Sequence, residues 1–331
     1  MDLMPSHETL LGLAMPGARA EGEHAVTHAP VPDWPPPSRG LTFTGDTASV
    51  AAAPDGTVWA FHRGAVPVVQ LDLAGRVLRA WGEGQFARPH GITVDRFGDL
   101  YLVDEFGHVV EKRSPDGDLH FVLGNRGAPA PWQEGKAFNR PTSVAVHPRS
   151  GDIFVADGYG NSRIHRFDRH GVHVLSWGEP GGAIGCFSLP HHLSFLGEDL
   201  LVVSDRENFR LQFFDKKGGA FGHWHCHRPC AAVPMRWGDE DLLLIAELGP
   251  SAVQRDVAQL GNRLVALDAD GRERLILDRH DGGCRLTAPH DVAVDRDGRI
   301  FVAEVARSWL RFNFDQVPDV EPASIRRWDP V

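Results

Sequence analysis

From about residue 45 onward the chain alternates short apolar strands with Asp-Gly-type turns, and the alternation recurs as a unit. Each unit opens on a strand that mostly begins with proline, turns, runs through a second and almost wholly apolar strand that usually ends in an acid, and closes on a third strand, often followed by Trp-Gly or Leu-Gly. Pro89-His-Gly-Ile-Thr-Val94 leads to Asp104 as Pro141-Thr-Ser-Val-Ala-Val146 leads to Asp157. Pro190-His-His-Leu-Ser-Phe195 leads to Asp205, and Pro289-His-Asp-Val-Ala-Val294 to Glu304. Looser copies begin at Ala48 and Pro229 and complete a set of six. β-branched and aromatic runs separated by such turns mark antiparallel meanders. Six of them predict an all-β fold, a six-bladed β-propeller, in which ring closure hides sheet edges.

The last unit ends near Phe314 one strand short, and Leu41-Thr-Phe-Thr44 is expected to complete it. Residues 1–40 include His28-Ala-Pro-Val-Pro-Asp-Trp-Pro-Pro-Pro-Ser38. That stretch is too rich in proline for a central strand or a helix interior. They are expected to form an arm or linker ahead of a propeller spanning 41–331. Residues 248–261 interrupt the fifth unit with a helix-compatible Ala-Val-Gln-Arg-Asp-Val-Ala-Gln-Leu segment, expected as a surface excursion.

Charge narrows the partners. Of 331 residues, 44 are acidic and 34 basic, a formal net charge of −10. Such a chain has no broad attraction for phosphate backbones or anionic lipid, so no nucleic acid and no membrane partner is expected, and small molecules are favoured. No apolar run approaches the roughly 18 residues of a membrane span. The first residues lack the basic and apolar regions of a signal peptide, so a cytoplasmic location is expected. Cys186, Cys226, Cys230 and Cys284 are too scattered to staple a chain of this size, which agrees with a reducing compartment.

Aligned at the residue after the leading proline, the six units present Ala48, His90, Thr142, His191, Cys230 and His290. Alternate blades therefore supply histidine, and equal spacing brings three imidazoles toward the axis with near three-fold symmetry. Three neutral imidazoles leave a fourth tetrahedral position open, the pattern of a catalytic zinc site; a metal-free polar channel is the alternative. His192, next to His191, is expected to face away because strand side chains alternate. His223-Trp-His-Cys-His-Arg-Pro-Cys230 has ligand residue types without zinc-finger spacing, and a surface role is expected. Arg63, Arg163 and Arg206 follow second strands. An anionic substrate over the metal would account for Arg63 and Arg206, since guanidinium holds a carboxylate bidentately; a salt bridge to a neighbouring blade is the other reading.

Over roughly residues 45–310 the chain resembles the peptidyl-α-hydroxyglycine α-amidating lyases, six-bladed propellers of the NHL-repeat class. The resemblance rests on Trp59-Ala-Phe-His-Arg-Gly64, Pro89-His-Gly-Ile92, Asp157-Gly-Tyr-Gly-Asn-Ser-Arg-Ile164, Pro190-His191, Asp205-Arg-Glu-Asn208 and Pro289-His-Asp291. It implies zinc on His90, His191 and His290, Tyr159 as the base, and Arg63 and Arg206 beside the substrate. It also implies a structural calcium held by the carbonyls of Val50 and Ile92 and by Asp291. The implied reaction cleaves the C–N bond of an N-acyl-α-hydroxyglycine-like carbinolamide, a peptide or small molecule bearing a carboxylate, to an amide and glyoxylate. The family's disulfide cysteines fall on Asn139, Gly160, Val202 and Phe213, and a methionine before its third Pro-His motif falls on Ala288. A zinc-dependent hydrolase on the same scaffold and a non-catalytic NHL-repeat binding platform are the alternatives, because propellers host many functions. Convergence of Tyr159, Arg63 and the three histidines at one mouth separates a catalyst from a platform.

Overall fold

A second strand that is apolar at nearly every position can present neither face to water, and packing on both sides satisfies it. The computed structural model describes residues 28–36, 43, 45–249, 262–277, 286–313 and 323–331. They form six four-stranded antiparallel sheets. The innermost strands are Thr47–Ala52, Pro89–Val94, Ser143–Val146, Pro190–Leu196, Pro229–Trp237 and Pro289–Val294. Each contacts the next, and the last contacts the first, so the ring closes into the expected six-bladed propeller. Second strands such as Val58–His62, Leu100–Asp104 and Ile153–Asp157 are buried throughout. The core lies between blades: Trp59, Phe61 and Val68 of the first pack on Ile92, Leu100 and Leu102 of the second. The Asp-Gly turns behave as their residues require. Gly56 takes φ 83° and donates its N–H to the Ala53 carbonyl at 3.0 Å, while the Asp55 carboxylate accepts the Thr57 N–H.

Closure differs from expectation. The sixth sheet runs from Pro289–Val294 through Ile300–Glu304 and Ile325–Pro330 to an outermost strand His28–Pro30, with His28 opposite Pro330. The strand that completes the ring therefore comes from the stretch expected as an arm, not from Leu41–Thr44. Phe43 is described outside any strand, and residues 41, 42 and 44 lie outside the described residues. The proline-rich stretch can serve because an edge strand pairs on one flank only and tolerates residues without an N–H. Trp34 then fastens it across the seam: its indole lies 5.3 Å from the Phe301 ring and its Nε1 donates to the Leu73 carbonyl. A helix that no sequence signal announced, α1 (Ala306–Asn313), stands between the second and third strands of this blade. The proposed excursion beyond Gly249, and Cys284, lie outside the described residues.

His28 on the closing strand and His62 in the first blade are both buried, and burial holds both below the usual histidine range. In the unfolded chain they titrate near pH 6.5, so below about that pH the unfolded state binds protons that the folded state refuses. Stability therefore falls as pH drops from 7 toward 5. Urea midpoints at the two pH values will show this, with a shallower fall in His28→Gln than in the parent; parallel falls would contradict the assignment.

Candidate functional site: an axial histidine triad

The acid ending a second strand has a structural task that its place in the repeat already suggests. Buried Asp104 accepts the backbone N–H groups of Ala87 at 2.9 Å, Arg88 at 2.7 Å and Gly107 at 3.0 Å. Asp157 takes that of Asn139, Asp205 that of Ser188, Glu247 that of His227, and Glu304 those of Thr287 and Ala288. Each carboxylate thus pins the segment that leads into the inner strand of its own blade, with charge-assisted bonds strengthened by burial. In the first blade His62 stands at this position and its Nδ1 accepts the Gly64 N–H. Immediately after the pinned segments, the inner strands slip register by one, between Pro89 and Gly91, Pro190 and His192, and Pro289 and Asp291. The residue released from the ladder is histidine in these three, and the same slip releases Ala48 in the first blade and Cys230 in the fifth.

His90, His191 and His290 meet on the axis. Their ring centroids lie 5.0, 4.9 and 4.6 Å apart, and one ligand nitrogen from each falls within 4.8 Å of the others. Each Nδ1 abuts a backbone carbonyl, His90 that of Thr142 at 2.6 Å, His191 that of Cys230 at 2.7 Å and His290 that of Ala48 at 2.7 Å. A carbonyl only accepts, so Nδ1 carries the proton and Nε2 is left bare. The three acceptors occupy, in the intervening blades, the same repeat position as the histidines. Burial pushes all three imidazoles well below the usual histidine range. His191 Nε2 is buried without a hydrogen-bond partner, a costly state for a polar atom that a cation would relieve. Three bare, convergent nitrogens whose opposite N–H groups are fixed by carbonyls fit a divalent transition metal.

Above the triad lies a cavity of about 520 Å³ lined by His290, Tyr159, Arg63 and Arg206, among others. The Tyr159 hydroxyl donates to His90 Nε2 at 3.2 Å, and the guanidiniums of Arg140 and Arg206 lie 5.0 and 5.7 Å from its ring centroid. Arg63 donates to the Pro89 carbonyl and pairs with Asp46 at 3.3 Å. Burial, then Arg88, pull its pKa down. Asp46 also accepts the Ser308 N–H at 3.0 Å, which ties α1 to the mouth. Arg206 pairs with Glu207 at 2.8 Å. Arg63 and Arg206 are therefore both salt-bridged and turned to the cavity, so the two alternatives for them hold together. Arg163 does not line this cavity. Arg88 and Arg228 do, and they went unremarked in the sequence. The signal was present: Arg88, Arg140 and Arg228 each immediately precede the leading proline of a unit.

Below the triad, His191 and His192 line the same small axial space. His192 does not join the triad. His192 Nε2 lies 3.4 Å from Asp291. Burial pushes Asp291 up to about 7, and its carboxylate accepts from Ser49 and from the Val50 N–H at 3.3 Å. Ile92 N–H donates to Ser49 Oγ, so Val50, Ile92 and Asp291 do gather. The His223–Cys230 stretch does not converge: His227 lies 3.5 Å from Glu247, and Cys226 packs in the core between blades. Among the described residues the axial triad is the group of three ligand side chains found together. The positions of the family's disulfides lie face to face, Val202 opposite Phe213 and Gly160 bonded to the Asn139 carbonyl, with other residues in place of cysteine.

Fold and site thus define a closed six-bladed propeller with a three-histidine centre on its axis. An NHL repeat model matches residues 138–167. The chain is 34% identical over 253 residues to peptidyl-α-hydroxyglycine α-amidating lyase 1 of Drosophila melanogaster, covering 70% of this chain and 45% of the relative. It is 33% identical over 238 residues to peptidyl-glycine α-amidating monooxygenase B of Xenopus laevis, covering 69% of this chain and 26% of the relative. Among solved structures, a gluconolactonase of Xanthomonas campestris superposes with a TM-score of 0.61 at 15% identity, over 88% of this chain and 89% of that one, a likeness of fold alone. The chain is a homologue of the peptidyl-α-hydroxyglycine α-amidating lyases and spans less than half the length of these two curated relatives.

The carboxylate pins predict a specific loss. Asp104→Ala leaves three backbone N–H groups without their acceptor, at a cost of about 3 kcal/mol. Denaturant titration will show a lowered midpoint at unchanged slope; a loss under about 1 kcal/mol would show that the pin is dispensable.

Proposed function

We propose that the chain is a metal-dependent carbon–nitrogen lyase that cleaves an N-acyl-α-hydroxyglycine-like carbinolamide to an amide and glyoxylate. The observation that carries the reading is a single mouth where three bare Nε2 atoms, a tyrosine hydroxyl 3.2 Å from one of them, and the guanidiniums of Arg63 and Arg206 meet. A binding platform has no use for an unpaired buried imidazole nitrogen. His90, His191 and His290 would hold zinc, which when bound supplies Lewis acidity toward a substrate hydroxyl. Arg63 or Arg206 holds the substrate carboxylate, bidentately where the geometry allows. Tyr159, as the phenolate, takes the carbinol proton. As that O–H bond breaks, the C=O double bond forms and the C–N bond cleaves. The departing amide nitrogen then needs one proton, which Tyr159 returns, so the cycle consumes no net acid or base. Val50 and Ile92 carbonyls with Asp291 would hold a structural calcium, a divalent charge that relieves the burial of that carboxylate. A negatively charged chain with this site suits a soluble carboxylate substrate, peptide or small molecule, rather than nucleic acid or membrane, and the cytoplasm is the proposed location.

Metal analysis of the purified protein together with an assay for glyoxylate from a simple N-acyl-α-hydroxyglycine tests this. The parent will carry about one zinc per chain and release glyoxylate, and His191→Ala will lose both. Tyr159→Phe will keep the metal and slow by about 10²- to 10⁴-fold. Zinc without glyoxylate from this compound and from its N-succinyl counterpart contradicts the lyase assignment, and absence of metal contradicts both it and a zinc-dependent hydrolase.

A further inference from the structure

The salt-bridged charges around the mouth divide into two groups that share no carboxylate, one from the first three blades and one from the fourth and fifth. In the first, Arg63 pairs with Asp46 at 3.3 Å, and Arg88 and Arg140 share the buried Glu105 at 2.8 and 2.5 Å. In the second, Arg206 and Arg228 share Glu207 at 2.8 and 3.0 Å. Three guanidiniums thus face two carboxylates in one group, and two face one in the other. Each group keeps one uncompensated positive charge. Arg140 and Arg206 bring the two groups to within 5.0 and 5.7 Å of the same ring centroid.

The excess is turned toward the cavity. Arg63, Arg88, Arg206 and Arg228 line it together with the exposed Arg311 of α1, which belongs to neither group, and among the described residues no aspartate or glutamate does; the carboxylates stand behind the guanidiniums. Asp46 is committed further, to the amide and hydroxyl of Ser308. Side-chain exposures of 14% for Arg63, 10% for Arg206, 19% for Arg228 and 34% for Arg88 leave water a limited share in screening them. A ligand with a single carboxylate answers one group and leaves the other unmatched within the same enclosed space. Two separated, unmatched cations facing one cavity are complementary to two separated oxyanions.

We propose that the substrate is a dianion, a carbinolamide whose acyl part carries a second carboxylate, with the hydroxyglycine carboxylate on one arginine group and the acyl carboxylate on the other. This rests on the lyase reading above for the carbinolamide, while the charge count stands without it.

The probes are N-succinylglycine and its half-amide N-succinamoylglycine. They match in size, differ by one charge, and cannot react because they lack the hydroxyl. Calorimetry on the zinc-loaded protein at low ionic strength will show the dianion bound at least about tenfold more tightly, an advantage that shrinks as salt is raised. In Arg88→Met or in Arg228→Met, according to which group takes the acyl carboxylate, the advantage falls below about threefold. Within each variant the half-amide is the internal reference, so a loosened fold weakens both probes and leaves their ratio readable. Equal affinities in the parent, or an advantage that survives both substitutions, overturns the proposal. Discrimination that persists while N-succinyl-α-hydroxyglycine releases no glyoxylate upholds the dianion site and removes the lyase reading instead.

Discussion

Each axial imidazole is held by a hydrogen bond from its Nδ1 to a backbone carbonyl of the blade that follows, and the site depends on that bond. It sets the ring orientation and the tautomer together, leaving Nε2 bare toward the axis. Three blades supply imidazoles and the other three supply the carbonyls, so no single blade contains even one complete ligand. The bond from His290 reaches Ala48, from the last blade to the first. The junction between the last blade and the first is therefore also a wall of the histidine site.

A second layer of buried charge supports the first. Acids at the ends of second strands pin the segments ahead of the histidines, while acids one or two residues further on, Glu105 and Glu207, gather arginines at the mouth. The two kinds of carboxylate sit within three residues of each other and do unlike work. The pins are satisfied by backbone donors and stabilise the fold. The others are shared between two guanidiniums each, which leaves positive charge available to a ligand. Tyr159, between the arginines and the triad, is the group through which that charge and the imidazoles meet.

Much of this was legible in the sequence because the repeat makes equivalent positions comparable. Alignment at the leading proline brought out His90, His191 and His290, and the structure brings them together on the axis. The same alignment held Arg88, Arg140 and Arg228, one residue earlier, but exposure to the mouth is a property of the assembled ring. The one-residue bulge that frees each of the three histidines from the ladder is silent in composition. The closing strand was misassigned. Proline richness argues against a central strand, and His28–Pro30 is an edge strand whose partner lies some 300 residues away. Helix α1 has no counterpart in the other blades, so a reading built on repetition passed over it.

Long-range ¹H–¹⁵N NMR of histidine-labelled, metal-free protein near pH 6 reports which ring nitrogen of each axial histidine carries the proton. His90, His191 and His290 will appear as neutral imidazoles protonated at Nδ1, and all three will lose that uniform Nε2 signal when zinc is added. Imidazolium rings, or protons on Nε2, would contradict the Nδ1-protonated tautomer.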